Sequence, residues 1–189
     1  MQKKPQVIVI SGAPGSGKST LAKKLTEFVQ YIYIDADSVL QNIWLNNTEN
    51  KDYDRETVGV PMLFDLVAQL GRVNGLNIIL DSAPSDEKNL NKLTEVFDIK
   101  HLHCEANNTN ERFYQRELNE NGEEPDWLGP HMITLEEKKE ANSIPPNLSV
   151  SFIRINTESE YEYEPRLETV IEKLNIADRY KLWSKPSLS

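Results

Sequence analysis

Eight consecutive residues, Gly12-Ala13-Pro14-Gly15-Ser16-Gly17-Lys18-Ser19, have the types and order needed to hold a polyphosphate. Glycines let the main chain wrap close to phosphate oxygens, so that its N–H groups converge as an anion nest. Lys18 is long enough to reach the outer phosphates, and the Ser19 hydroxyl can ligate Mg²⁺. The stretch follows a β-branched apolar run at 6–11. It precedes a pattern over 18–30 that places Leu21, Ala22, Leu25, Phe28 and Val29 on one helix face. Strand, loop and helix N-terminus are therefore in register, and the helix dipole adds partial positive charge at the loop. The pattern implies a nucleoside-triphosphate site.

Such a loop serves GTP hydrolysis, ATP hydrolysis or phosphoryl transfer, and residues elsewhere separate these. A base reader of the Asn-Lys-x-Asp type is missing, since Asn91-Lys92 continues Leu93-Thr94. The run Ile78-Ile79-Leu80-Asp81 ends in Ser82, where a hydrolytic enzyme would place a water-activating glutamate. A transferase needs a carboxylate to accept the proton of an attacking hydroxyl. Asp35 and Asp37, in Tyr33-Ile34-Asp35-Ala36-Asp37-Ser38, are the candidates, and they share one side if the strand persists through Asp37. Asp37 is equally placed to cap a helix starting at Ser38. Asp81, at a strand end, suits a metal-holding role with Ser19, and Asp35 would support Asp37 or the metal. Arg112 and Arg116 lie four apart on a helical pattern and could neutralise charge on a transferred phosphoryl group. Alternatively they pair with Glu111, Glu117 and Glu120 on a solvated face.

The elements that must position these residues alternate. Strands are predicted at 6–11, 31–34, 76–80, 99–104 and 150–155. Helices are predicted at 18–30, 38–45, 55–73 (disturbed at Pro61), 87–97, 110–118 and 165–174. Strand after helix after strand implies crossover connections, hence an α/β fold with a mostly parallel sheet covered on both faces. No repeat or linker divides residues 1–189, which are read as one domain. The stretch 105–140 departs from this rhythm. It holds ten acids against Arg112, Arg116, Lys138 and Lys139, and it reads as a lid excursion centred on 117–145. Trp127 and His131 lie in it as pocket or packing residues.

The 189 residues are 38% apolar and 27% charged, which supports a globular core. The net charge of −9 argues against a protein built to coat nucleic acid or an anionic membrane. Residues 1–24 nevertheless carry five lysines and no acid, which favours polyphosphate at that end. The single cysteine, Cys104, excludes an internal disulfide or multi-cysteine zinc site, reads as a small buried residue and fits a reducing cytoplasm. The first ten residues show neither a signal-peptide nor a membrane-spanning pattern.

Taken together, Gly12 to Thr20, the Asp37 region, Asp81 and Arg112 with Arg116 resemble the small P-loop kinases. That group includes polynucleotide 5′-hydroxyl, gluconate, shikimate and zeta-toxin-like kinases and chloramphenicol phosphotransferase. The resemblance implies a three-layer P-loop NTPase fold with strand order 2-3-1-4-5, and ATP and Mg²⁺ as cofactors. It implies that Thr20, Arg112 and Asn156 join the loop residues around the nucleotide, the segment Asn156-Thr157-Glu158 forming a loop near adenine. Asp37 is then the general base, and Arg116 points at the transferred phosphate. The polynucleotide kinases carry an arginine three residues after the base, where this chain has Leu40. With the acids of the lid, that points to a small hydroxyl-bearing acceptor, neutral or cationic, rather than nucleic acid, bound by a monomer or homodimer. A nucleic-acid-end kinase and a nucleotide-hydrolysing regulatory module are the alternatives.

Overall fold

The structure, a computed structural model, describes residues 4–45, 54–81, 87–107, 152–158 and 165–175, together with 109, 112, 115, 116, 118, 119 and 163. Its first strand, β1 (Gln6–Gly12), is buried along its whole length, as expected of a central parallel strand with no polar face. Around it stand β2 (Ile32–Asp35), β3 (Ile78–Asp81), β4 (Asp98–Glu105) and β5 (Phe152–Asn156). They form a five-stranded parallel sheet in the order 2-3-1-4-5, the order the resemblance implied. The helices are α1 (Lys18–Thr26), α2 (Ala36–Leu45), α3 (Val60–Asn74), α4 (Glu87–Val96) and α5 (Leu167–Lys173).

Side-chain alternation along β1 divides the core in two. Ile8 and Ile10 face Leu21 and Leu25 of α1 and Val170 and Ile171 of α5. Val7 and Val9 face Leu63, Phe64 and Val67 of α3 and Leu90 and Leu93 of α4. Parallel registry then lines up the strand ends. Gly12 lies opposite Cys104, Ile10 opposite Asp81, Asp81 opposite Asp35 and Glu105 opposite Asn156. The carboxyl edge of the sheet thus collects the loop, two carboxylates and the start of the 156–158 segment, as open parallel sheets do at their ligand crevice.

Two local readings are decided by the structure. β2 stops at Asp35, so the condition that would have put Asp35 and Asp37 on one side of a strand is not met. The cause is the Asp35 side chain, which accepts from the Ser38 N–H (3.2 Å) and the Ser38 hydroxyl (2.9 Å) and starts α2 immediately. The disturbance expected near Pro61 is present: the pattern over 55–73 divides before Val60 into a π-helical turn, Arg55–Gly59, and α3. Proline has no N–H to give to the preceding turn, and it sits in the first turn of α3, where none is needed. Asp54 caps the π turn by accepting from the Thr57 N–H at 2.7 Å. The helix expected at 110–118 is represented by helical Thr109, Arg112, Gln115, Arg116 and Leu118. The lid beyond Asn119, with Trp127 and His131, lies outside the described residues. Among the described residues no helix is long and apolar enough to cross a membrane.

α3 and α4 approach closely because Gly71 has no side chain. A methyl group there would stand 2.3 Å from Phe97 Cζ, and that ring is buried. Gly71→Ala is expected to destabilise the fold by about 1–3 kcal/mol through overpacking, despite the better helix propensity of alanine. Urea denaturation of the two proteins checks this.

Candidate active site

The loop between β1 and α1 is shaped by its glycines. Gly12 has φ +144°, and a Cβ on it would lie 2.5 Å from the Cys104 carbonyl and 2.6 Å from Ser16 Oγ. Only glycine therefore lets β1 run against the end of β4 and still turn into the loop. Gly15 and Gly17 have φ 78° and 82°, and the Ser16 N–H donates to the Ala13 carbonyl at 3.0 Å. Positive-φ glycines on either side of Ser16 let the loop curl so that its N–H groups can converge. Lys18 folds back over the loop, its Nζ donating to the Ala13 carbonyl at 3.1 Å. Burial lowers the Lys18 pKa, while Asp81, Cys104 and Asp37 oppose that shift and Arg116 adds to it. The charges of Asp81, Asp37 and Arg116 thus all bear on Lys18, Asp81 most strongly of the three.

Asp81 is buried, and burial raises its pKa; a hydrogen bond from Ser19, the charge of Lys18 and a hydrogen bond from Tyr33 work the other way. The Tyr33 hydroxyl donates to Asp81 Oδ2 at 3.2 Å, and its own pKa is raised, first by burial and then by Asp81. A hydroxyl and a carboxylate in contact at the mouth of a phosphate loop are hard oxygen donors of the kind Mg²⁺ takes. Among the described residues no group of three or more His, Cys, Asp or Glu could hold a metal. Ser19 and Asp81 fit Mg²⁺. Asp35, opposite Asp81, spends both carboxylate oxygens on Ser38.

Capping therefore falls to Asp35, and Asp37 is left on the first turn of α2 with its side chain 83% exposed. Its partner is Arg55 Nη2, 2.5 Å from Asp37 Oδ1. An exposed pair of this kind adds little to stability, so it imposes no structural need on either residue. Arg55 is eighteen residues from Asp37, and no local pattern links the two in the sequence. Arg112 and Arg116 are both helical, but they do different things. Arg112 donates to the Thr157 carbonyl at 2.8 Å and to the Glu158 carbonyl, whereas Arg116 is exposed and acts on Lys18. The Asn156 side chain accepts from the Glu158 N–H at 2.9 Å and shapes the segment after β5. Thr157, which the resemblance places with Asn156 and Glu158 in the loop near adenine, is buried and donates to the Ser16 carbonyl of the phosphate loop. Cys104 is buried, as expected, and its thiol is pushed up to about 12 by that burial.

Residues 7–126 match the family model AAA_33, an AAA domain, and the chain belongs to that P-loop family. The same fold occurs in a sugar kinase from Janibacter sp. HTCC2649, with TM-score 0.60 and 18% identity, covering 92% of this chain and 96% of that one. It occurs in a gluconokinase from Sinorhizobium meliloti 1021, with TM-score 0.59 and 15% identity over 92% and 94% of the two chains. It occurs also in the Mycobacterium tuberculosis APS kinase, solved with AMPPNP and APS, with TM-score 0.57 and 16% identity over 93% and 100%. No curated protein matches the sequence.

Under the loop lies a polar group that alternate spacing on β4 makes visible in retrospect. The Ser11 hydroxyl is hydrogen-bonded to both rings, 2.7 Å from His101 Nε2 and 2.9 Å from His103 Nδ1, with the tautomer of each ring setting which partner donates. Burial first, and His103 second, bring the His101 pKa down to about 4. The unfolded chain takes up this proton near 6.5 and the folded chain only near 4, so stability present above pH 6.5 is lost as the pH falls towards 4. The expected loss is about 3 kcal/mol. Denaturant titrations at neutral and acidic pH measure it, and His101→Asn should flatten the acid limb.

Proposed function

We propose that this protein is an ATP- and Mg²⁺-dependent kinase that transfers the γ-phosphate to a hydroxyl group of a small-molecule acceptor. The observation that carries this reading is Asp37, an exposed carboxylate within electrostatic reach of Lys18 and clear of the capping that would have explained it structurally. A hydrolase would need a water-activating residue beside Asp81, and the chain has Ser82 there.

In this mechanism the amides of 12–17 and Lys18 bind the phosphates of ATP, with Thr20 at the start of α1 and Asn156 on the adenine side. Asp37 accepts the proton of the acceptor hydroxyl. The hydroxyl oxygen forms a bond to the γ-phosphorus as the bond to the β–γ bridging oxygen breaks, and ADP leaves with that electron pair. Lys18 and Arg116 neutralise charge on the transferring group. Ser19 and Asp81 would hold Mg²⁺, which when bound offsets charge on the phosphates. Asp35 supports the base by starting α2, and so placing Asp37.

One observation favours the second reading, phosphorylation of a nucleic-acid 5′-hydroxyl. Arg55 sets a cation beside Asp37, where Leu40 leaves the polynucleotide-kinase position without one. Phosphorylation of oligonucleotide 5′-ends, falling steeply with salt, is the outcome that reading requires.

ADP release measured across a metabolite panel should appear only with particular hydroxyl acceptors; equal turnover without any acceptor contradicts a kinase. With the acceptor found, Asp37→Asn should lower kcat by about 10²–10⁴-fold and leave ATP affinity unchanged. Full activity in that variant would remove Asp37 as the base.

A further inference from the structure

Thr157 follows β5 and is 3% exposed. Its hydroxyl donates to the Ser16 carbonyl at 2.5 Å, with the Glu105 carbonyl farther off at 3.1 Å, while its N–H donates to Glu105 at 2.9 Å. A hydroxyl has one proton to give, and the shorter contact takes it. The Ser16 carbonyl and the Gly17 N–H belong to one planar trans peptide and point in opposite directions. Holding the carbonyl on the Thr157 side therefore turns the Gly17 N–H to the other side. Gly17, at φ 82°, has no side chain of its own to resist rotation of that peptide.

We propose that Thr157 is a positioning residue for the nucleotide phosphates. It holds the Ser16–Gly17 peptide so that the Gly17 amide faces the phosphate site. Arg112 acts on the same peptide at one remove. Its guanidinium grips the Thr157 carbonyl at 2.8 Å and the Glu158 carbonyl, and the Glu158 carboxylate accepts the Asn107 N–H at 2.8 Å. The segment is thus braced from the helical residues around Arg112 and from the end of β4. Arg112 serves the nucleotide by bracing rather than by touching phosphate. The proposal rests on the nucleotide-binding reading of the loop and adds what keeps one of its amides aimed.

The test is calorimetric titration of the full chain with Mg·ATP and, separately, with inorganic tripolyphosphate, which has no adenine. Thr157→Val should weaken both ligands by about tenfold, and Thr157→Ser should restore wild-type affinity. Arg112→Gln should weaken both in the same direction, and combining it with Thr157→Val should add nothing further. Tripolyphosphate binding unchanged in Thr157→Val, or a serine variant as weak as the valine one, overturns the proposal. Additive effects of the two substitutions remove Arg112 from it. If Thr157→Val does not fold, Arg112→Gln and Thr157→Ser still decide, since the first must weaken tripolyphosphate and the second must not. A wild-type protein that binds neither ligand overturns the nucleotide site itself, an outcome distinct from these.

Discussion

Everything at this site depends on one close approach, that of β1 and β4 at Gly12 and the Cys104 carbonyl. A side chain at Gly12 would collide with that carbonyl at 2.5 Å. Without one, the chain leaves the centre of the sheet and closes a loop of main-chain amides over its edge. The sheet is parallel, so every strand delivers its carboxyl end to the same edge. The loop, Asp35, Asp81 and the segment after β5 arrive together as a consequence of registry, and contacts such as Thr157 on the Ser16 carbonyl then fix them there.

Charge then determines what this edge holds. Lys18 is half-buried where a cation is disfavoured, and the carboxylates around it, Asp81 first, offset part of that cost. Asp81 in turn is buried against Ser19, Lys18 and Tyr33. In the proposed function a polyphosphate would add its negative charge beside Lys18, and Ser19 with Asp81 would hold the divalent ion that offsets it. The net charge of −9 places no obstacle to this, since no acid precedes Glu27 in the sequence.

The loop was legible in the sequence because its residues are contiguous and their spacing is itself the mechanism. Asp81 was legible because an acid ending an apolar run marks a strand end. The roles of Asp35 and Asp37 were not, because they turn on where β2 stops, and one side-chain cap, Asp35 on Ser38, decides that. Arg55 could not be found by spacing, since its pairing with Asp37 is made by folding across the α2 region and the π turn. His101 and His103 show an alternate pattern, but their partner Ser11 appears only once the β1–β4 register is known. The resemblance places Thr157 in the adenine-side segment, but its contact was hidden for the same reason: its partner is a main-chain carbonyl far off in the sequence.

The central claim is that Asp37 faces a transferable phosphate bound by the Lys18 loop. A crystal structure of the chain with AMPPNP and Mg²⁺ measures that directly. The γ-phosphorus is expected beside Lys18, with the Asp37 carboxylate about 6 Å away, room for one hydroxyl oxygen between them. A γ-phosphate directed away from Asp37, with no carboxylate within a hydroxyl's reach, would contradict the assignment of this protein as a kinase.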